Sequence, residues 1–503
     1  MRSLGSLFLL LMFLGRLAAL AEEAAAGSLT LMDTVRMTLA RDPNVAIEVA
    51  RVDAARGALQ FASGQFDPVV ASGLSQTNSN VPDSPSSSQE TRSFQNNFGI
   101  TKQFRTGLTL QPQYQLDRSQ GGLTAGTVTF QLRQPLLRGR GRAAVQAAEL
   151  SAEREVAATG LDLRQAVAQR VLVVASQYWQ VRAAEHNLEV LRSSENSSRE
   201  LLENTRKLIA ADQVPAADIV QLEASVAAAE SARIGGERDL FTERQGLGRE
   251  IGLDPSEIAS LPLPSDPFPD VRPSTVPPLA ESRFFIDLAL RRRTDLEAAR
   301  QRQVEADLQR RAAENALRPQ LDLVLAPGYS GLSDGTSAGS FFSPFFRNIP
   351  GASTAVSLAL SWPTFNQRAQ GALLQIDAAR RQSALAADLL SKEIGADVPA
   401  ALDAVGRDAL RLEKARQAVL LFERTFANEE KKLRAGTSTL LDLITQRDRL
   451  TAARQTEVAA ELALALSLLD LRFRTGTLLG NSGPLGEIEI SRLTTVPSPG
   501  EAP

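Results

Sequence analysis

Asp218 and Asp442 stand 224 residues apart in a chain of 503, each just past a sharp turn between long helical stretches. A carboxylate in such a place complements the partial positive charge at the start of the following helix. The turns hold Ala211, Asp212 and Val214 in the first case and Gly436, Thr437 and Ser438 in the second. The remaining reactive inventory is short. The single histidine, His186, lies among Ala184, Glu185 and Asn187 and reads as an ordinary surface residue. Cysteine is absent, which removes any disulfide framework or thiolate metal site. No glycine-rich phosphate loop, metal-ligand cluster or nucleophile with a histidine base is present, so no enzyme, cofactor or metal centre is expected. Net charge is −3, from 55 basic and 58 acidic residues, which gives nucleic acid nothing to hold.

The elements that place these turns are long. Ala143 to Ala211 runs without proline and with one glycine, Gly160, in a composition rich in helix formers. Val167, Val174, Val181, Leu188, Leu202 and Ile209 fall on a seven-residue ladder broken only at Glu195. That period keeps one apolar stripe against a partner helix. A single helix over this stretch would be roughly 100 Å long at 1.5 Å per residue. The ladder recurs at an offset of 224 as Val405, Leu412, Val419, Phe426 and Leu433. The returning segments keep the same offset, Ile219 and Val226 matching Leu443 and Leu450. A shared offset across two helices marks an internal duplication.

Residues 1–21 read as a signal peptide: Arg2, an apolar run from Leu4 to Leu14, and Ala19-Leu20-Ala21 before Glu22. The first repeat then occupies 22–253 and the second 281–480, joined by a proline-rich linker at 254–280 that is expected to be extended, and followed by a flexible tail at 481–503. Each repeat opens with a helix interrupted near its middle, at Asp42-Pro43 and at Arg293-Thr294-Asp295. The following segments, about 67–136 and 320–362, switch to period two. Leu110, Tyr114 and Leu116 share one strand face with Thr109, Gln111, Gln113 and Gln115 opposite, and Val356, Leu358 and Leu360 alternate with Ser357 and Ser361. One apolar and one Gln/Ser/Thr face suits a transmembrane barrel strand. Asn78 to Arg92 and Ser330 to Ser340 read as polar loops, with Phe341, Phe342, Phe345 and Phe346 beside the second. Pro68 to Pro135 exceeds its counterpart Pro319 to Pro363 by 23 residues, room for one extra hairpin turning at Arg105-Thr106. Six strands per chain follow. The long helical hairpins are expected at 143–251 and 366–477, with a kink at Pro399 in the second.

Particular stretches carry a resemblance. Arg133-Gln134-Pro135-Leu136-Leu137-Arg138-Gly139 and its second copy, Leu360-Ser361-Trp362-Pro363-Thr364-Phe365, resemble the strand-to-helix junctions of the TolC-like outer-membrane efflux proteins. Lys432 to Leu450, with Gly436-Thr437-Ser438-Thr439-Leu440-Leu441-Asp442, is similar to that family's second periplasmic helix–turn–helix. The degenerate first copy is Lys207 to Val226, where Asp212 stands in place of the favoured glycine. The likeness extends from Leu31 to about Leu479. It implies an α+β membrane protein with a duplicated periplasmic coiled-coil barrel and a transmembrane β-barrel completed by three copies in outer-membrane lipid. The implied partners are a periplasmic adaptor at the helix tips and an inner-membrane transporter, and the implied role is a passive exit duct. Asp442 matches an acidic pore position of the family, so threefold symmetry would make Asp442, and Asp218 with it, rings of three carboxylates. The competing expectation is an envelope scaffold without a pore.

Overall fold

The computed structural model describes residues 28–85, 87–119, 123–210, 218–334, 344, 351–435, 437–480 and 488–497. In chain order, α1 (Leu31–Arg41) and α2 (Pro43–Gly64) lead to β1 (Val69–Ser84), β2 (Ser87–Gln103), β3 (Thr109–Ser119) and β4 (Leu123–Pro135). A short α3 (Arg142–Val145) precedes the long α4 (Ala147–Ala210) and its return, α5 (Asp218–Ile251), and then α6 (Pro255–Ser260). The second repeat is α7 (Ser282–Arg292), α8 (Thr294–Ala316), β5 (Gln320–Asp334), β6 (Gly351–Ser361), α9 (Gln367–Arg434) and α10 (Leu440–Arg474), closed by α11 (Ile490–Thr494). The described residues fall into two compact units, one from Arg51–Thr159 and Ala298–Asp388, the other from Met1–Ala50, Gly160–Glu297 and Leu389–Pro503. The signal peptide expected at 1–21 lies outside the described residues.

The first of these units carries a single antiparallel meander in the order β1-β2-β3-β4-β5-β6. Strands β2 and β3 are the extra hairpin expected from the length difference. Side chains alternate across the sheet as the period-two pattern requires. Leu110 sits opposite Leu132 and Tyr114 opposite Val128. Leu132 faces Leu325 across the next pair, and Leu323 and Leu325 face Leu358 and Val356. On the other face Gln111 meets Gln131 and Gln113 meets Thr129. The turn between β2 and β3 closes through Phe104 N–H to Leu108 O at 2.7 Å. Gly107 there has φ 95°, and a Cβ would meet Gly139 O at 2.4 Å, so only glycine fits. Arg105 in that turn grips Glu149 with two bonds of 2.9 and 2.6 Å. It also lies 4.7 Å over the Phe66 ring.

Asn78 to Arg92 is a paired ribbon, not a loop. Asn78 pairs with Arg92 and Ser84 with Ser87, with one register shift between Pro82 and Ser84. The polar composition misled because ladder hydrogen bonds are made by backbone and tolerate polar side chains on both faces. Strand β5 likewise runs on to Asp334, whereas Phe341, Phe342, Phe345 and Phe346 lie outside the described residues.

In the helical unit the heptad ladder is the buried stripe: Val167, Val174, Val181 and Leu188 of α4, and Val405 and Leu412 of α9, are all buried. A core of Phe285, Leu296, Ile394, Val398, Leu402 and Leu468 joins α7, α8, α9 and α10. Glu195, the break in the first ladder, is buried too, and its carboxylate pairs with Arg233 at 2.5 Å and Arg199 at 2.6 Å. Its counterpart Val419 packs instead in an apolar cluster with Leu450, Phe422 and Phe426. The expected interruptions are present, Asp42 and Arg293 serving as the C-caps of α1 and α7. α9 continues through Pro399 as one helix. Among the described residues no helix is long and apolar enough to cross a membrane.

Two expectations from composition differ from the structure. The proline-rich linker 254–280 is not extended throughout: it begins with α6, and Pro273–Thr275 and Leu279–Glu281 form single 3-10 turns. Pro255 occupies the first helical position, where a missing N–H costs nothing, and the Glu257 carboxylate accepts from Asp254 N at 3.0 Å. The rest is fastened by Tyr178, whose buried hydroxyl accepts from Ser265 N (3.2 Å) and Asp266 N (3.1 Å) and reaches Leu29 O at 3.0 Å. Burial holds that phenol above its ordinary range, so it stays a donor. The tail, too, is partly seated. Buried Arg472 donates from Nε to Thr495 O at 2.8 Å and from Nη2 to Val496 O at 3.1 Å, and Leu493 is fully buried. A buried guanidinium needs acceptors, and a polar tail of backbone carbonyls supplies them.

Candidate functional site

The second turn, Lys432 to Asp442, is built by local bonds. Thr437 N donates to Lys432 O at 3.0 Å, satisfying a carbonyl at the end of α9. Thr437 Oγ1 reaches the same carbonyl at 3.2 Å, and Ser438 Oγ donates to Glu429 Oε1. Thr439 then caps α10 as Asp442 N donates to Thr439 Oγ1 at 3.2 Å. The Asp442 carboxylate answers by accepting from Thr439 Oγ1 at 2.6 Å and Thr439 N at 3.3 Å. Those bonds, the hydroxyl's foremost, hold its carboxyl below the ordinary carboxylate range. The Ser438 hydroxyl first, then Lys432, do the same for Glu429. The turn thus presents exposed, ionised Asp442 close to a second carboxylate, a fixed negative charge suited to cations.

Gly436 lies outside the described residues, as do Ala211, Asp212 and Val214 of the first turn. Asp218 is the first residue of α5.

A second feature was missed in the sequence. Arg447, on α10, is buried, and its Nη1 donates to Ser198 Oγ of α4 while its Nη2 donates to Ser225 Oγ of α5, both at 2.6 Å. Nη2 also reaches Asp448 Oδ1 at 2.8 Å. One guanidinium therefore ties three helices together. The same seam continues with Thr451 to Ser194 and Gln455 to Asn187, each at 3.1 Å. Beside it, Leu202, Leu222, Val226 and Ile444 form an apolar plug. The available signal was a charge on the apolar stripe: Arg447 lies four residues after Leu443 and three before Leu450, the spacing of one helix face.

The sheet contributes the remaining feature. β1 and β6 each have one strand neighbour in the meander, so among the described residues both edges are open. On those edges Leu74, Val356, Leu358 and Leu360 are 66–70 % exposed. An apolar sheet with free edges is not a stable end state in water. Residues 285–477 match the family model for outer membrane efflux proteins. This is the fold of the TolC-like outer-membrane efflux proteins. The matched domain lies within the second repeat of the duplicated helix-and-sheet architecture, and it places the chain in the outer membrane. The TolC-like fold recurs in solved channels of low identity. The outer-membrane channel OprN is 17 % identical with a TM-score of 0.65, over 89 % of this chain and 90 % of its own. VceC, an outer membrane protein of Vibrio cholerae, is 18 % identical with a TM-score of 0.64, over 91 % and 97 %. The open state of the MtrE outer membrane channel of Neisseria gonorrhoeae is 16 % identical with a TM-score of 0.62, over 91 % and 90 %. No curated protein matches the chain in sequence.

Proposed function

We propose that the chain is the outer-membrane exit duct of a tripartite efflux or type I secretion system. It passes substrate from a periplasmic adaptor and an inner-membrane pump to the exterior, without chemistry of its own. The observation that carries this reading is the six-stranded meander with two open edges and an apolar face. Lipid satisfies the apolar face, but it cannot satisfy an edge of unpaired N–H and C=O groups. Copies of the same chain can, β1 of one pairing with β6 of the next. Three copies of six strands would close a barrel of eighteen, its Gln and Thr face lining a wet lumen. The same symmetry would gather three Asp442 carboxylates, and three Asp218 carboxylates, at the helix tips as a cation-attracting constriction. The turns around 211–214 and 436–438 would then face the adaptor.

Purified from outer membranes in detergent, the protein should have the mass of three chains and should form ion-conducting channels in planar bilayers. A stable monomer, or a trimer that never conducts, would sink the duct. The latter result would leave an envelope scaffold.

A further inference from the structure

A cavity of about 250 Å³ lies in the helical unit, and neither helix-tip turn contributes to its wall. That wall is assembled from α4, the α7–α8 junction and the turn that follows α10. Four of its side chains are arginines: Arg164, Arg291, Arg292 and Arg293. Among the described residues the one acidic residue on the wall is Glu297, against four arginines. Arg293 is engaged by Asp295 through Nε at 3.0 Å. Arg164 spends Nη2 on Gly480 O at 3.0 Å, but its Nε is buried without a hydrogen-bond partner. A buried donor left unpaired is costly. Arg291, also on the wall, is exposed. The other side of the cavity is apolar, made by Leu161, Phe473, Leu478 and Leu479.

The wall is also preformed. Gly476 turns the chain with φ 66°, and a Cβ there would come within 3.0 Å of Arg292 C and Arg293 N. The backbone of the α10 exit is thus pressed directly onto the arginine run. Thr294 Oγ1 holds Gln165 Oε1 at 3.1 Å across the same space.

We propose that this cavity is a binding site for a small organic anion, one carboxylate on an apolar body. The carboxylate sits against Arg164 and Arg291, where guanidinium groups suit its two oxygens, and the body sits against Leu161, Phe473 and Leu478. The volume falls just below that of drug-sized pockets, which limits the ligand to about one ring or a short chain. None of the residues named for the proposed conduit lines this site.

The probe is 4-fluorobenzoate, followed by the fluorine line width with the intact detergent-solubilised protein, chloride being held constant. Concentration-dependent broadening is expected for the native protein. Arg291→Gln should weaken it at least tenfold, and Arg164→Gln likewise, while Arg164→Lys should retain part of it by keeping the charge. Because Arg291 is exposed, its variant reports on binding even where the Arg164 variants fold poorly. Equal broadening in all variants would overturn the proposal, the probe then lying in detergent. So would no broadening in the native protein. Displacement by equimolar inorganic phosphate would remove the role of the apolar wall and with it the stated ligand class.

Discussion

At the scale of single residues, Asp442 does two jobs whose consequences separate. Its carboxylate closes the Thr439 capping bonds, and it stands exposed at the turn. An asparagine in its place would keep an oxygen for Thr439 but lose the charge. Asp442→Asn is therefore expected to lower cation selectivity and relieve block by multivalent cations in bilayers, with little change in melting. Unchanged conductance with a lower melting temperature would leave Asp442 as a helix-end residue only. Acid should act on the same bonds. A carboxyl held below its unfolded value stabilises the turn at every pH above that value, and this contribution disappears as pH falls through the folded value. Asp442 and Glu429 are both of this kind, so the turn should loosen only below about pH 4. Amide exchange at Leu440 to Leu443 across pH 3 to 6, roughly the carboxylate range, checks it. Arg447 belongs to the same region. Arg447→Met removes the donors that hold Ser198 and Ser225. We expect a loss of about 1–3 kcal/mol in the stability of the helix tips and a larger conductance, read by bilayer recording alongside thermal melting.

At the scale of elements, two fastenings do what composition does not foretell. The proline-rich segment could have been loose, yet Tyr178 gathers two of its N–H groups onto one hydroxyl. Tyr178→Phe keeps the ring and strands those donors, so it should destabilise the docked segment by about 1–3 kcal/mol for each donor left unmatched. Faster proteolysis between Leu261 and Pro278 is the readout. Gly476→Ala should be worse than an ordinary glycine replacement. Its left-handed φ costs about 1 kcal/mol or more for alanine, and the 3.0 Å approach to Arg292 and Arg293 adds a steric penalty. A lowered melting temperature with native helix content would report it. The ladder break at Glu195 has an element-scale reason as well. The first hairpin crosses that level with Arg199, Arg233 and Glu230 in a charged network, whereas the second crosses it with Leu450 and Phe422. Duplicated backbones thus carry opposite chemistry at one level.

At the scale of the molecule, the open sheet sets what the chain must do. β1 and β6 carry apolar residues to edges that no strand among the described residues covers. Replacing backbone pairing on one edge should therefore separate assembly from folding. Val356→Pro, in β6, removes a ladder donor and leaves the helical unit untouched. It should yield helical but unassembled chains, seen as the mass of one chain by light scattering and the loss of heat-modifiable migration.

The sequence by itself determined the repeat, the long helices and the number of strands. Heptads at a shared offset and alternation of Leu with Gln are periodic, and a period is a local property that survives without knowledge of contacts. It also determined that α1 and α7 end where they do, because Asp42-Pro43 and Arg293-Thr294 break helices locally. Only the tertiary structure decided what Arg447, Tyr178 and Arg472 hold, since their partners lie 23 to 249 residues away in the chain. The same holds for the ribbon at Asn78 to Arg92 and for the seated tail. In both, backbone groups supply the bonds, and backbone groups carry no signature in the amino-acid sequence.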